Sequence, residues 1–162
     1  MSLEQNFKEI LENLNTEKWP ERTPERAAKA YRHLTKGYHS KLDDIIKDAV
    51  YPYEGKGIIT VADIDFSSLC EHHMLPFLGT CKIKYSPNHK IIGLSKFSRI
   101  VDHFSRRFQL QEKLTLEIAN AIQDITKAKF VEVSMKAKHL CMVTRGVEKV
   151  NSYMETFYST AP

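Results

Sequence analysis

Apolar side chains at Phe7, Ile10, Leu11 and Leu14 share one helical stripe, which predicts a first helix over residues 3–14, broken by Trp19-Pro20. A second begins at Thr23-Pro24-Glu25-Arg26, with Thr23 as the expected N-cap and Pro24 at the first helical position. Ala27, Tyr31 and Leu34 give it an apolar face, and Gly37 is the expected stop. A short helix near 42–50 follows, then turn residues Pro52 and Gly55-Lys56-Gly57. From residue 57 the period changes from helical to alternating. GIITVADIDF and TCKIKY read as strands, the latter with Cys81, Ile83 and Tyr85 opposite Lys82 and Lys84. After the turn Pro87-Asn88-His89 and the short run Ile91-Ile92, Ser95 is the expected N-cap of a helix carrying Phe97, Ile100, Val101 and Phe104. Leu110, Leu114, Ile118, Ile122 and Ile125 mark a longer helix over about 110–127. FVEVSMKAK is the cleanest strand, alternating Val131, Val133, Met135 and Ala137 with Glu132, Ser134, Lys136 and Lys138, and a final strand falls near 150–158.

Strands that flank a helix pair, after leading helices, define an α+β domain rather than a doubly wound sheet. The chain divides into an N-terminal helical segment, 1–56, and a sheet domain, 57–162. A small sheet leaves edges to be covered, so the chain is expected to assemble with its own copies.

The 162 residues suffice for one core. The 24 Lys and Arg against 20 Asp and Glu leave +4, too mild to indicate a nucleic-acid partner but compatible with a local anion pocket. No run approaches the ~18 apolar residues of a membrane span, and the charged, amphipathic start is unlike a signal peptide. The expected location is the cytoplasm, where three cysteines read as metal ligands or catalytic groups rather than as a disulfide scaffold.

Candidate chemistry gathers in two places. Cys70 and His73 stand at C-x2-H spacing, in a turn expected to follow the first strand, and His139-Leu140-Cys141 follows the cleanest strand. In an extended segment His139 and Cys141 point the same way, so adjacent strand ends would bring four metal-competent side chains together. Cys70, His73 and Cys141 supply two thiolates and an imidazole. A catalytic zinc keeps a fourth position for water, and His72 and His139 would then act as acids or bases near neutral pH. Spacing alone leaves a closed structural site, with His139 as fourth ligand, and no metal at all, also open.

Ser95 at a helix start, with Lys96 and with Arg99 about a turn on, forms a candidate anion site that Arg145 would extend. The bland alternative is a solvated basic face. Gln111-Glu112 opens the long helix. Glu112 is either a favourable charge at a helix N-terminus or a carboxylate that pairs with purine N–H donors, a role that requires burial.

SLCEHHMLPF, IIGLSKFSRIV, LQEKLTLEIANAI and KHLCMVTRGV together resemble the GTP cyclohydrolase I family, and TPERAAKAY resembles its N-terminal helix motif. The resemblance covers about residues 20–152, in order. It implies a tunnelling fold whose copies join their sheets into barrels, a homodecamer with sites between subunits, and conversion of GTP and water to 7,8-dihydroneopterin triphosphate and formate, which begins folate and pterin synthesis. By motif match it implies zinc on Cys70, His73 and Cys141, activating water for attack on carbon 8 of guanine. His139 would protonate the neighbouring ring nitrogen, His72 would serve the ribose, and Ser95 the sugar rearrangement. Glu112, helped by Gln111, would hold guanine. Lys96, Arg99 and Arg145 would hold the triphosphate, with Arg26 reaching in from a neighbouring subunit.

The chain departs from the family's usual QERLT, where Lys113 keeps the charge but loses the planar fork. It also ends at Pro162, where relatives usually continue through a strand and a helix. The competing expectations are a non-catalytic zinc-bound assembly module and a related tunnelling-fold enzyme acting on another purine or pterin.

Overall fold

The structure, a computed structural model, describes residues 1–14 and 18–161. Residues 15–17 and Pro162, which fall in the expected segments 1–56 and 57–162, lie outside the described residues. Helices α1 (Leu3–Asn13) and α2 (Thr23–Leu34) pack on each other, with Phe7 and Tyr31 ring centroids 5.2 Å apart. Thr23 is the first helical residue rather than the cap. Arg22 precedes it, and its guanidinium donates to Glu25 at 2.8 Å, so an ion pair holds the first turn in place of a hydroxyl cap.

Gly37 does not end α2, which stops at Leu34. It lies in a 3-10 turn, Lys36–His39, where its N–H donates to Arg106 O at 3.0 Å. A Cβ at this position would collide with the backbone oxygens of His103 and Arg106, so close approach of two chains requires the glycine. The expected helix at 42–50 is shorter, α3 (Leu42–Ile46), because Val50 begins a strand, β1 (Val50–Pro52).

The main sheet contains β2 (Ile59–Cys70), β3 (Pro76–Ser86), β5 (Phe108–Gln109), β6 (Phe130–His139) and β7 (Met154–Ser159), in the order β5-β2-β3-β6-β7. Its long pairings are antiparallel, and only the two-residue β5 joins β2 in parallel. β1 pairs with β4 (Lys90–Ile92), and α3 packs on α4 (Leu94–Ser105). Both ties run across the expected boundary at 56/57. Gly93 donates to Ala49 O at 3.0 Å, and the helix begins immediately after it, so Gly93 rather than Ser95 occupies the cap position.

The second helix of the pair, α5 (Gln111–Thr126), and α4 cover one face of the sheet. Between them lie Ile64, Phe66, Cys81, Ile83, Tyr85, Val131, Val133 and Met135 from the strands, and Phe97, Ile100, Leu114, Ile118 and Ile122 from the helices. The alternation read at 130–138 is the alternation that is buried. In β2 the inward positions are Ile59 and Val61, then Ile64, Phe66 and Ser68. The step of three is a bulge between Val61 and Ile64, with Asp63 at φ +54°. Because strand side chains repeat every two residues, the bulge decides which parity faces inward, and it gives Cys70 the buried side.

Candidate functional site

Pairing register carries the chemistry to one end of the sheet. Cys70 closes β2 rather than following it, and it pairs with Gln109 of β5. One residue later Leu110 caps α5, so Gln111 and Glu112 start that helix beside Cys70. Phe77, at the start of β3, pairs with His139, the last residue of β6, and their rings stack at 4.5 Å with only 2° between planes.

Beyond His139 the chain is not extended. It enters a single helical turn, α6 (Leu140–Val143), so the expectation that His139 and Cys141 point alike from one strand does not describe this segment. The turn swings Cys141 toward Cys70 while His139 stays in the sheet. The ligand atoms of Cys70, His73 and Cys141 lie within 4.8 Å of one another, and the group could hold a metal ion. His73 reaches it from the turn after β2, where Met74, at φ +57°, donates from its backbone N–H to Cys70 O at 2.8 Å. Its Nδ1 is 3.5 Å from Cys70 Sγ. Burial and the neighbouring Cys70 thiol push the Cys141 thiol up from its ordinary pKa, with Arg145 opposing. The group offers a metal two sulfurs and one imidazole nitrogen.

Around the triad, His72 is exposed, its ring 6.1 Å from that of His73. Arg145 is exposed, with Nη1 3.4 Å from His73 Nε2. Glu112 is exposed, so in the single chain it lacks the burial that base recognition requires, although its charge acts on His139. Burial pushes the His139 pKa down, and Glu112 partly opposes this. Gln111 is 1% exposed, and its side chain bonds to His139 and to the strands behind it.

Ser95, Lys96 and Arg99 are elsewhere. The end of α4 lies beside β2, where Arg107 O accepts from Leu69 N at 3.2 Å, close to Cys70. Ser95 and Lys96 begin the same helix, so a helix length, roughly 15 Å, separates them from the Cys-His-Cys group. There Lys96 donates to Ile45 O at 2.6 Å, and Arg99 borders a hollow with Lys36, Ser40 and Asp102. Arg26 is exposed on α2, whose Tyr31 hydroxyl donates to Met74 O at 3.1 Å in the turn that carries His73. Sequence reasoning missed Phe77, Thr115 and Thr156, which hold His139 and Gln111, since nothing local marks an apolar strand residue or a threonine as part of a site.

A mixed sheet with two helices on one face and a Cys-His-Cys group at its end defines the class: a tunnelling-fold protein with a metal-competent centre. The fold matches the crystal structure of the archaeosine synthase QueF-Like in the apo form, with TM-score 0.57 at 14% identity over 67% of this chain and 98% of that one. The model of the family described as GTP cyclohydrolase I matches residues 3–161. GTP cyclohydrolase 1 of Pseudoalteromonas translucida (strain TAC 125) is 54% identical over 134 residues, 83% of this chain and 73% of that protein. GTP cyclohydrolase 1 1 of Pseudomonas putida (strain KT2440) is 46% identical over 159 residues, 96% of this chain and 84% of that protein. The chain belongs to the GTP cyclohydrolase I family. No helix among its described residues is long and apolar enough to cross a membrane.

Proposed function

We propose that this protein is a zinc-dependent GTP cyclohydrolase that releases formate from carbon 8 of guanine and yields 7,8-dihydroneopterin triphosphate, feeding folate or pterin synthesis in the cytoplasm. The observation that carries this reading is the convergence of Cys70, His73 and Cys141 beside two histidines that lie outside the ligand group. The donor set fits zinc. Tetrahedral coordination with Zn–S of about 2.3 Å and Zn–N of about 2.0–2.1 Å puts S and N about 3.6 Å apart. Cys70 Sγ and His73 Nδ1 are 3.5 Å apart. When bound, zinc supplies a Lewis acid that acidifies water to a pKa of about 7.

The remaining roles fall to the chain. His139, its ring flat against that of Phe77, would in its protonated form give a proton to the guanine ring nitrogen next to the reacting carbon. His72, exposed on the turn, would move protons at the ribose. Glu112 would pair with the N–H donors of guanine, and Arg145, beside the triad, would meet the phosphates. Ser95, Lys96 and Arg99 would complete the site from a second copy, with Arg26 from a third, because one chain holds Ser95 and Lys96 a helix length from its own ligands. That separation supports a site between subunits in a ring, with a homodecamer as the proposed assembly. The polar sheet face, where a hollow of about 360 Å³ is lined by Asp63, Lys82, Lys136 and Glu155, carries none of these residues.

Incubating the metal-loaded protein with GTP should release formate and a product that becomes a fluorescent pterin on oxidation. Metal-loaded, assembled protein that yields neither would overturn the reading.

A further inference from the structure

The amide of Gln111 can be oriented by elimination. Its Nε2 lies 3.1 Å from Met135 O, 3.1 Å from Met154 O and 3.2 Å from Thr156 Oγ1. Two of these are backbone carbonyls, which only accept, so the amino group must face them. A flipped amide would set oxygen against oxygen in a buried site, at the cost of unmade hydrogen bonds. The hydroxyls behind it are ordered the same way. Thr115 Oγ1 donates to Gln111 O at 2.7 Å, so the 2.6 Å contact between Thr115 and Thr156 must be donated by Thr156. That leaves Thr156 Oγ1 as an acceptor for Gln111, and the network closes.

Oε1 therefore faces His139 Nε2, at 2.9 Å, and can only accept. The neutral imidazole must carry its proton on Nε2, which leaves Nδ1 with the free lone pair. The Phe77 ring, stacked on one face, fixes the ring plane as well.

We propose that Gln111 is a positioning residue that holds His139 as the Nε2–H tautomer, so that Nδ1 is the atom that exchanges protons with substrate, and that Gln111 does not itself bind the base. Being 1% exposed with both ends of its amide engaged, it has no group left to offer a ligand. Base recognition is thereby left to Glu112, the exposed neighbour one residue on. The catalytic half of this inference rests on the acid–base role proposed for His139, whereas the tautomer does not.

Nitrogen-15 spectra of histidine-labelled, metal-loaded protein without GTP, at about pH 8, with His139→Gln as the assignment control, read the tautomer directly. The expected result is a protonated Nε2 and a bare Nδ1. In Gln111→Met, which keeps the bulk and loses the acceptor, His139 should show a protonated Nδ1 in a substantial share of molecules. Formate release in that variant should lose roughly tenfold or more in kcat, with KM for GTP within about twofold and metal content unchanged. An Nδ1–H ring in the native protein overturns the proposal whether or not the variant folds, as does a Gln111→Met that raises KM while keeping kcat. Failure of the native protein to turn over GTP would count against the proposed function, and the ring spectrum would still decide the tautomer.

Discussion

Four side chains at the sheet end differ in geometry, and the roles proposed for them follow from that difference. Cys70 and Cys141 are buried and point at each other with His73, whereas His139 lies in the sheet with its Nε2 turned to Gln111. A ligand and an acid–base group respond differently to removal. Cys141→Ala should lose its metal, seen by metal analysis of the purified protein. His139→Ala should keep the metal and the assembly while formate release falls by ~10²–10⁴-fold. Loss of metal from His139→Ala in step with activity would make it a ligand. His103 offers a separate test, away from the metal. Its Nε2 faces Arg107 Nη2 at 2.8 Å, and its Nδ1 faces Ser40 Oγ at 2.6 Å, while Ser40 itself donates to Gly37 O. Arginine cannot accept, so the folded ring is neutral, with its proton on Nδ1. Burial, with the Arg107 charge, holds its pKa below the ordinary histidine value, and Glu117 opposes. As pH falls through about 6.5 the unfolded chain takes up a proton that the folded chain resists, so the stability present above that pH is progressively lost. Denaturation midpoints at about pH 8 and about pH 5.5 should differ more for the native protein than for His103→Gln. Equal differences would show that His103 contributes nothing.

At the scale of elements, the joint between the 3-10 turn at 36–39 and the end of α4 sets where the helix lies. Gly37 N donates to Arg106 O, and Arg107 Nη2 donates back to Gly37 O at 3.1 Å. Arg106 also donates to Ser67 of β2, so the same two arginines fasten α4 to the sheet just before Cys70. Their side chains are half-buried ties between three elements. Gly37→Ala places a methyl against two carbonyl oxygens of that joint and should cost about 1–3 kcal/mol, as overpacking does. Urea unfolding would measure it, and an unchanged midpoint would mean that the chains can part without penalty.

For the whole molecule, the division of candidate residues between two ends of α4 has a consequence for assembly. If one copy supplies the metal ligands and another supplies Lys96 and Arg99, two dead proteins can restore each other. Cys141→Ala and Arg99→Ala, each with little activity alone, should regain about a quarter of native turnover when co-assembled in equal amounts, since that share of interfaces would be intact on both sides. Mixtures that stay inactive, with mixed assembly verified by mass, would place the whole site in one chain.

The chain's local pattern was enough to define FVEVSMKAK as a half-buried strand and the 97–104 and 110–125 stripes as helices packed on it. Side-chain period is a property of the backbone and needs no partner. Cys70, His73, His139 and Cys141 also stood out, because thiol and imidazole chemistry is written in residue type. Register and order were not legible. The two-residue β5 that joins Cys70 to Gln109, the bulge at Asp63 that turns Cys70 inward, and the helical turn that brings Cys141 across are invisible to periodicity. So are the four partners of Gln111, which come from β6, β7 and His139. Each of these joins residues far apart in the chain, and such contacts are decided by strand pairing and packing rather than by any local preference. The sequence by itself determined which side chains could do chemistry and which faces of its regular, unbulged segments would be buried. Only the tertiary structure decided which of them meet.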